Sequence, residues 1–376
     1  MKKSLIALAV LAASGAAMAQ SSVTLYGVAD VFVGSTNSEI AGAGQRQNVV
    51  NTSGINGSRW GLKGAEDLGG GMKAIFTLES GFNLDNGTSA QGGQLFGRQA
   101  FVGLESGFGT VSLGRQYSAY DALHSATNMN GDAFTFNAAS GVLNVNAAPL
   151  AASSIGVSAN GMKDYSSRVD NSIAYTSPSF SGFSGAVVYS FGENKNAPAT
   201  ATPVFAGNVN GDATDNASLH IKYANGPLLV GYAYQEEKQA AVANVAPAVG
   251  FSQDKNKYNL VGATYDFGVV KLNGSYNTAK NNTFNDKEYQ VGVAVPFGAA
   301  AISAGYAHSK SEVDGAERTG KGFSLLATYD LSKRTRLYAG AQETKAFVPT
   351  APTAANLAQV GETKTTVYGL GVRHSF

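Results

Sequence analysis

A two-residue alternation of apolar and polar side chains recurs along most of the chain. In segment 23–33, Leu25 and Val31 share one face of an extended chain, whereas Tyr26 and Asp30 share the other. This period is typical of a β-strand whose two faces meet different surroundings. It predicts sixteen strands, at 23–33, 59–64, 73–82, 100–104, 111–116, 168–176, 185–191, 217–223, 228–234, 258–267, 270–276, 289–297, 302–306, 323–331, 337–341 and 367–376.

The connections between these segments alternate in length. Short turns, such as 67–70 and 106–109, alternate with eight long polar stretches at 35–58, 83–97, 118–167, 192–215, 237–254, 278–286, 309–320 and 344–363. Short turns at one end and long loops at the other are typical of transmembrane β-barrels of the outer-membrane type. The fold class predicted is therefore all-β, a closed sixteen-stranded antiparallel barrel with no free sheet edge.

The composition fits this fold and excludes several classes of function. Charged residues make up 14% of the 376 residues, against about 25% in soluble domains. Glycine accounts for 46 of the residues. The absence of Cys excludes metal-binding and redox sites built from thiols. A net charge of +1 gives no overall positive field that would attract nucleic acid. The four histidines are far apart and no catalytic motif occurs, so no enzyme activity, metal or cofactor is expected.

Both ends of the chain carry features of an exported protein. Lys2 and Lys3 precede a short apolar run and the small-residue sequence Ala17-Met18-Ala19, which predicts a signal peptide at 1–19 with cleavage after Ala19. Residues 20–376 would form the barrel domain. The chain ends at Phe376 on an amphipathic last strand, as outer-membrane proteins do for recognition by the barrel-assembly machinery, and Phe376 is the predicted assembly signal.

Five motifs resemble one known family. They are SVTLYGVAD at 22–30, SRWGLKGAEDLGGG at 58–71, LFGRQAFVGL at 95–104, GTVSLGRQ at 109–116 and GVRHSF at 371–376. The sequence resembles the trimeric general porins of Gram-negative bacteria, most closely their β-proteobacterial and neisserial branch. The resemblance implies a homotrimer among the lipid and lipopolysaccharide of the bacterial outer membrane. It also implies passive transport of ions and small hydrophilic solutes through a water-filled channel.

The resemblance further implies a constriction inside the barrel. The third and longest loop, 118–167, would fold inward and carry Asp121 and Asp132 as its acidic residues. Acid on this loop facing base on the wall would create a transverse field that biases ion selectivity.

Four basic residues are expected on the facing wall. Arg59 is in phase with Lys63 and out of phase with Trp60, and Arg168 is out of phase with its apolar neighbours, so alternation alone points these side chains into the lumen. Arg115 shares the parity of an apolar face; the resemblance places it in the lumen, but it needs a bulge or the strand end to reach there.

Two other functions stay open at this point. A substrate-selective channel of the same fold would be distinguished by a solute that blocks conductance at low concentration. A surface β-sheet adhesin would lack an apolar outer band and would stay soluble without detergent.

Overall fold

In the computed structural model, the described residues are 22–40, 43–128, 135–139, 165–193, 214–238, 255–282, 284–313, 316–349 and 360–376. The predicted signal peptide and Asp132 lie outside these ranges. The strand segments are β1 (Ser22–Ile40), β2 (Ala43–Thr52), β3 (Arg59–Gly69), β4 (Met72–Gly81), β5 (Gln99–Ser106), β6 (Gly109–Tyr117), β7 (Arg168–Thr176), β8 (Phe183–Ser190), β9 (Asn216–Asn225), β10 (Leu228–Lys238), β11 (Lys255–Asp266), β12 (Lys271–Lys280), β13 (Phe284–Phe297), β14 (Ala300–Val313), β15 (Ala316–Asp330), β16 (Thr335–Pro349) and β17 (Val360–Ser375).

Within the described ranges, two helical segments accompany the strands. The helix α1 spans Ala119–Thr127, and one 3-10 turn spans Gln91–Gly93. No helix in the described ranges is long and apolar enough to cross a membrane.

The strands form one closed antiparallel barrel with sixteen strand positions. From β3 to β17 each strand pairs with its neighbour in sequence, β1 pairs with β2 and β3, and β1 closes the sheet by pairing with β17 from Val28↔Ser375 to Ile40↔Thr363. The seventeen segments reduce to sixteen positions because β2 and β3 pair with successive parts of the same edge of β1. Closure leaves every one of the sixteen strand positions with two hydrogen-bonding neighbours, as a lipid environment requires, and it confirms the predicted strand number.

Burial follows the predicted alternation along the strands. On β11, the buried Asn256, Tyr258 and Leu260 alternate with exposed residues such as Val261. Large apolar side chains are exposed on the other face around the barrel, for example Leu25 at 59% and Leu325 at 55%. We call the face with the exposed apolar side chains the outer face and the opposite, more polar face the inner face. This distribution is that of a barrel with lipid outside and water inside.

Three of the predicted loops are mostly strand. Residues 35–58 contain the end of β1 and all of β2, and residues 278–286 and 309–320 are shortened by β12 to β15. These extensions carry Ser, Thr, Asn and Gln on both faces, so they lack the apolar alternation that reveals a membrane-embedded strand. Their backbone groups nevertheless pair across the hairpins, because a strand pair outside the lipid needs no apolar face.

The C-terminal residue completes the seam of the barrel. Gly27 and Phe376 exchange backbone hydrogen bonds at 3.0 and 3.1 Å, and the Phe376 ring covers Gly27 so closely that a Cβ at position 27 would overlap it. The recognition of Phe376 by an assembly machinery stays a prediction.

Candidate pore-lining site

Glu79 on β4 joins two arginines on the inner wall. Its carboxylate accepts a hydrogen bond from Arg98 Nε at 2.7 Å and one from the Tyr26 hydroxyl at 3.0 Å, and Arg59 Nε lies 3.5 Å away. Glu79 and Arg98 are 4% and 3% exposed. A buried ion pair with further hydrogen bonds holds both side chains in one geometry.

Strand register puts this group on the inner face. Glu79 pairs with Gly61, which pairs with Tyr26, while the next row contains the exposed Leu25 on the outer face. Arg59 is two residues from Gly61 and therefore shares its face. The register therefore puts Arg59 on the inner face, and its role in the pore stays a prediction.

Tyr117 links Arg98 to a third arginine. Arg98 Nη2 donates to the Tyr117 hydroxyl at 2.7 Å, and Arg168 Nη2 donates to the same oxygen at 2.9 Å. The Arg168 guanidinium also stacks over the Tyr117 ring, 4.5 Å from its centre, as a cation–π contact. Arg59, Arg98 and Arg168, which we call the arginine cluster, thus form one network with Glu79.

Sequence reasoning missed Arg98, although it lies in one of the family motifs. Arg98 precedes β5 and has the parity of the outer residues Ala100 and Val102, so alternation gives it no lumen position. Its buried partner Glu79 is 19 residues away. The signal in the alternation pattern was Glu79 itself. A carboxylate at an inner strand position is rarely buried without a basic partner, and this indicates that an arginine or lysine lies nearby.

The other two predicted basic residues lie apart from the arginine cluster. Register with β5 keeps Arg115 on the face of the exposed Leu113, and its guanidinium bonds Gly97 O at 2.8 Å and Asp170 at 2.6 Å. The predicted bulge is present at this point of β6, but it does not bring Arg115 to the cluster. Lys63 is exposed, with its Nζ 5.3 Å from the centre of the Tyr26 ring.

The helix α1 at the start of segment 118–167 packs on the inner face of β9 to β12. Ser118 caps it by accepting from Asp121 N, and the Ala119 N–H donates to Ser218 Oγ at 3.0 Å. Leu123 and Thr127 pack against Gly231 and Gly262, where a Cβ would overlap them. These contacts fix the helix on the wall.

Tyr120 anchors α1 through a hydroxyl that stays protonated. The hydroxyl donates to Asn277 Oδ1 at 3.3 Å, and the ring packs on Tyr258 and Leu260. Burial raises the pKa of Tyr120 well above its usual value, and the charges of Glu288 and Asp121 add to that effect. The phenol therefore remains a donor throughout the physiological range.

Asp121 lies on the first turn of α1, where a negative charge favours the helix N-terminus. Its carboxylate accepts from the Tyr165 hydroxyl at 2.9 Å, which joins the start of the segment to its end. Its predicted position facing the basic wall stays a prediction, as does the role of Asp132. Within the described residues, no group of three His, Asp or Glu side chains is arranged to hold a metal ion.

A second described piece of the segment, 135–139, contacts a different part of the wall. Phe136 is fully buried between Phe32 on β1 and Tyr338 on β16, with ring centres 5.1 and 6.1 Å away. Gln342 Nε2 donates to Asn137 O at 2.6 Å. Segment 118–167 is therefore attached at two sectors of the inner wall.

Replacing Gly340 with alanine should release Phe136 from the wall. A Cβ at position 340 would overlap the Phe136 ring, and an aromatic ring has no small movement that relieves such a contact. We expect a larger and noisier single-channel conductance for Gly340→Ala. Gly274→Ala is the control, since a Cβ there meets its nearest atom at 3.2 Å. Equal conductance of the two variants would contradict the conclusion that Phe136 attaches segment 118–167 to the wall.

The comparisons with known proteins agree with this geometry. A family model described as Gram-negative porin matches residues 5–346. The chain belongs to the Gram-negative porin family. The porin is 35% identical to an outer membrane porin protein of Bordetella pertussis and 30% identical to the major outer membrane protein P.IB of Neisseria meningitidis, each over the full length of both chains. Among solved structures it resembles the anion-selective porin from Comamonas acidovorans, with a TM-score of 0.72 and 29% identity over 95% of this porin and 100% of the other chain.

These findings confirm the predicted family and its β-proteobacterial and neisserial branch. The protein is an outer-membrane porin, a β-barrel channel through which ions and small hydrophilic solutes diffuse.

Proposed function

We propose that this porin is a general diffusion channel that prefers anions, narrowed by segment 118–167 and lined opposite it by the arginine cluster. The observation that carries the proposal is the charge of the network. Arg59 and Arg98 contact the carboxylate of Glu79, and Arg168 joins them through the Tyr117 hydroxyl, so three arginines and one carboxylate give a sum of 3 − 1 = +2. Fixed charge at a narrow point of a pore biases which ions pass. The similar porin from Comamonas acidovorans is described as anion-selective, which supports a preference for anions in this porin as well.

The contacts of segment 118–167 support the narrowing. One described piece lies on the inner face of β9 to β12 and the other on that of β1 and β16, which supports a segment that is folded inward. Asp121 and Asp132 would supply its negative charge.

The remaining expectations of the resemblance complete the proposal. The porin would act as a passive channel without enzyme activity, as a homotrimer among lipopolysaccharide, after signal cleavage at Ala19 and insertion by the barrel-assembly machinery through Phe376. Chemical cross-linking of native membranes that yields a trimer band supports this assembly, and a monomer alone contradicts it.

Conductance in a planar lipid bilayer tests the function directly. The purified porin should give discrete conductance steps in potassium chloride, and its reversal potential in a tenfold salt gradient should have the sign of an anion preference. Heat-denatured protein in the same detergent is the control. Absence of steps would refute the channel, and a cation-type reversal potential would refute the role of the arginine cluster.

A further inference from the structure

A second group of basic residues lies on the inner face at the barrel end that carries the short turns. Arg336 on β16 pairs directly with Arg373 on β17, and Arg373 pairs with Asp30 on β1. Tyr338 lies two residues beyond Arg336 and is buried against Phe136, which places this row on the inner face. Arg336 is next to the turn 331–334.

The two arginines differ in how their charges are compensated. Asp330 holds Arg336 in a bidentate pair, with its carboxylate oxygens 2.6 Å from Nε and 2.9 Å from Nη2. Arg373 has no ion pair with any described residue, and its buried Nε has no hydrogen-bond partner among them. Like charges directly opposite each other on paired strands are destabilising, so this pair calls for a negative charge.

The nearest carboxylate in the row cannot supply that charge through hydrogen bonds. Asp30 already accepts from the backbone N–H groups of Gly54, Ile55 and Asn56, at 2.8, 3.2 and 2.8 Å, and from the Tyr338 hydroxyl at 2.6 Å. Four donors saturate a carboxylate. Arg373 therefore keeps donors for a ligand.

A cavity of about 210 Å³ lies in front of Arg373, and we call it the turn-end pocket. Its charged lining consists of Lys333, Arg334, Arg336 and Arg373 against Asp330 alone, a sum of 4 − 1 = +3. At about 30 Å³ for each water, the volume holds a tetrahedral oxyanion with some of its hydration. The guanidinium fork matches two oxygens of such an anion.

The lumen leads to this pocket. A larger cavity of about 410 Å³ lies between α1 and the wall, and Arg336 lines both cavities. Among the described residues that line the larger cavity, Lys271 is the other cation and none carries a carboxylate. An anion in the lumen would therefore meet Lys271, Arg336 and Arg373 in succession.

We propose that Arg373 and Arg336 form a binding site for small tetrahedral oxyanions, such as inorganic phosphate, at the turn end of the lumen. The site uses no residue of the arginine cluster, and it rests on the proposed function only for its role as a step in anion passage. It would act as a second anion-binding step near one mouth of the channel.

Titration calorimetry of the detergent-solubilised porin with inorganic phosphate tests the site. Saturable binding is expected, weakened about tenfold or more in Arg373→Gln, because charge-assisted hydrogen bonds to the anion are lost. Arg373→Lys should bind with intermediate affinity, since it keeps the charge without the fork. The control is Lys73→Gln, which removes one positive charge from an exposed pair with Glu105 and should leave phosphate affinity unchanged.

Two further measurements separate the possible outcomes. Heat-modifiable electrophoretic mobility reports whether each variant is folded, and Arg373→Lys keeps the test decisive if Arg373→Gln fails to fold. Absence of saturable phosphate binding in the wild-type porin, or equal affinities in Lys73→Gln and the Arg373 variants, would overturn the site. Conductance in potassium chloride alone tests the proposed function, so phosphate binding without conductance would contradict the channel and leave the site standing.

Discussion

Replacing Arg59, Arg98 and Arg168 together with glutamine is expected to abolish the anion preference and move the reversal potential to the cation side. The network then changes from 3 − 1 = +2 to −1, because Glu79 remains. The Debye length is about 10 Å at 0.1 M salt, so the change should be largest in dilute potassium chloride. Reversal potentials in a tenfold gradient at two salt concentrations provide the measurement.

Glu79 complicates the triple variant and also offers a way to check it. Leaving a buried charge without its partner costs about 3–5 kcal/mol, so the variant is expected to be less stable. Adding Glu79→Gln removes that charge and makes the network neutral. This fourfold variant should show a weakened anion preference without a shift to the cation side.

Arg115→Gln is the matched single control. Its guanidinium pairs with Asp170 and the Gly97 carbonyl rather than with the arginine cluster, so its reversal potential should equal that of the wild type. If the triple variant kept the wild-type reversal potential, or Arg115→Gln changed it as much, the arginine cluster would not be the selectivity element.

The barrel itself was predictable because lipid and water impose opposite demands on alternate residues. Leu25 and Tyr26 follow one another on β1, yet one is exposed on the outer face and the other hydrogen-bonds Glu79 inside. That contrast is visible in sequence wherever a strand crosses the membrane. Where strands extend beyond it, as in β2, both faces are polar and the same criterion identifies a loop.

The site was only partly predictable, since its contacts depend on long-range register. Alternation gave Arg59 an inner position, as the register of β3 does. It could not indicate that the Arg98 guanidinium pairs with Glu79, or that the Tyr117 hydroxyl accepts hydrogen bonds from two arginines. Arg115 shows the opposite case. A bulge is visible only in the paired strands, and this one leaves the side chain on an ion pair with Asp170.

Replacing Asp30 with alanine is expected to cause the largest loss of stability among single substitutions on the inner face of the barrel. Its fully buried carboxylate accepts three backbone N–H groups of the 53–58 connection and the Tyr338 hydroxyl. Hydrogen bonds to a charged group contribute about 1.5–3 kcal/mol each. Because such contributions are not additive, the expected loss is on the order of 3–5 kcal/mol.

The same substitution should also alter the channel, because the 53–58 connection touches segment 118–167. The carbonyl of Gly54 accepts from the N–H groups of Thr135 and Phe136, at 3.1 and 3.2 Å. When the connection loses Asp30, this attachment loosens along with the packing of Phe136. We therefore expect Asp30→Ala to raise single-channel conductance as well as to lower the temperature at which the folded electrophoretic band disappears.

Two variants separate these effects from a general loss of charge. Tyr338→Phe removes one donor and leaves three, so its melting temperature should fall between those of the wild type and Asp30→Ala. Asp85→Asn removes a carboxylate that is exposed and should change neither temperature nor conductance. A melting temperature for Asp30→Ala equal to that of Asp85→Asn would show that the buried carboxylate does not hold the 53–58 connection, and the attachment of Phe136 would then depend on its ring contacts alone.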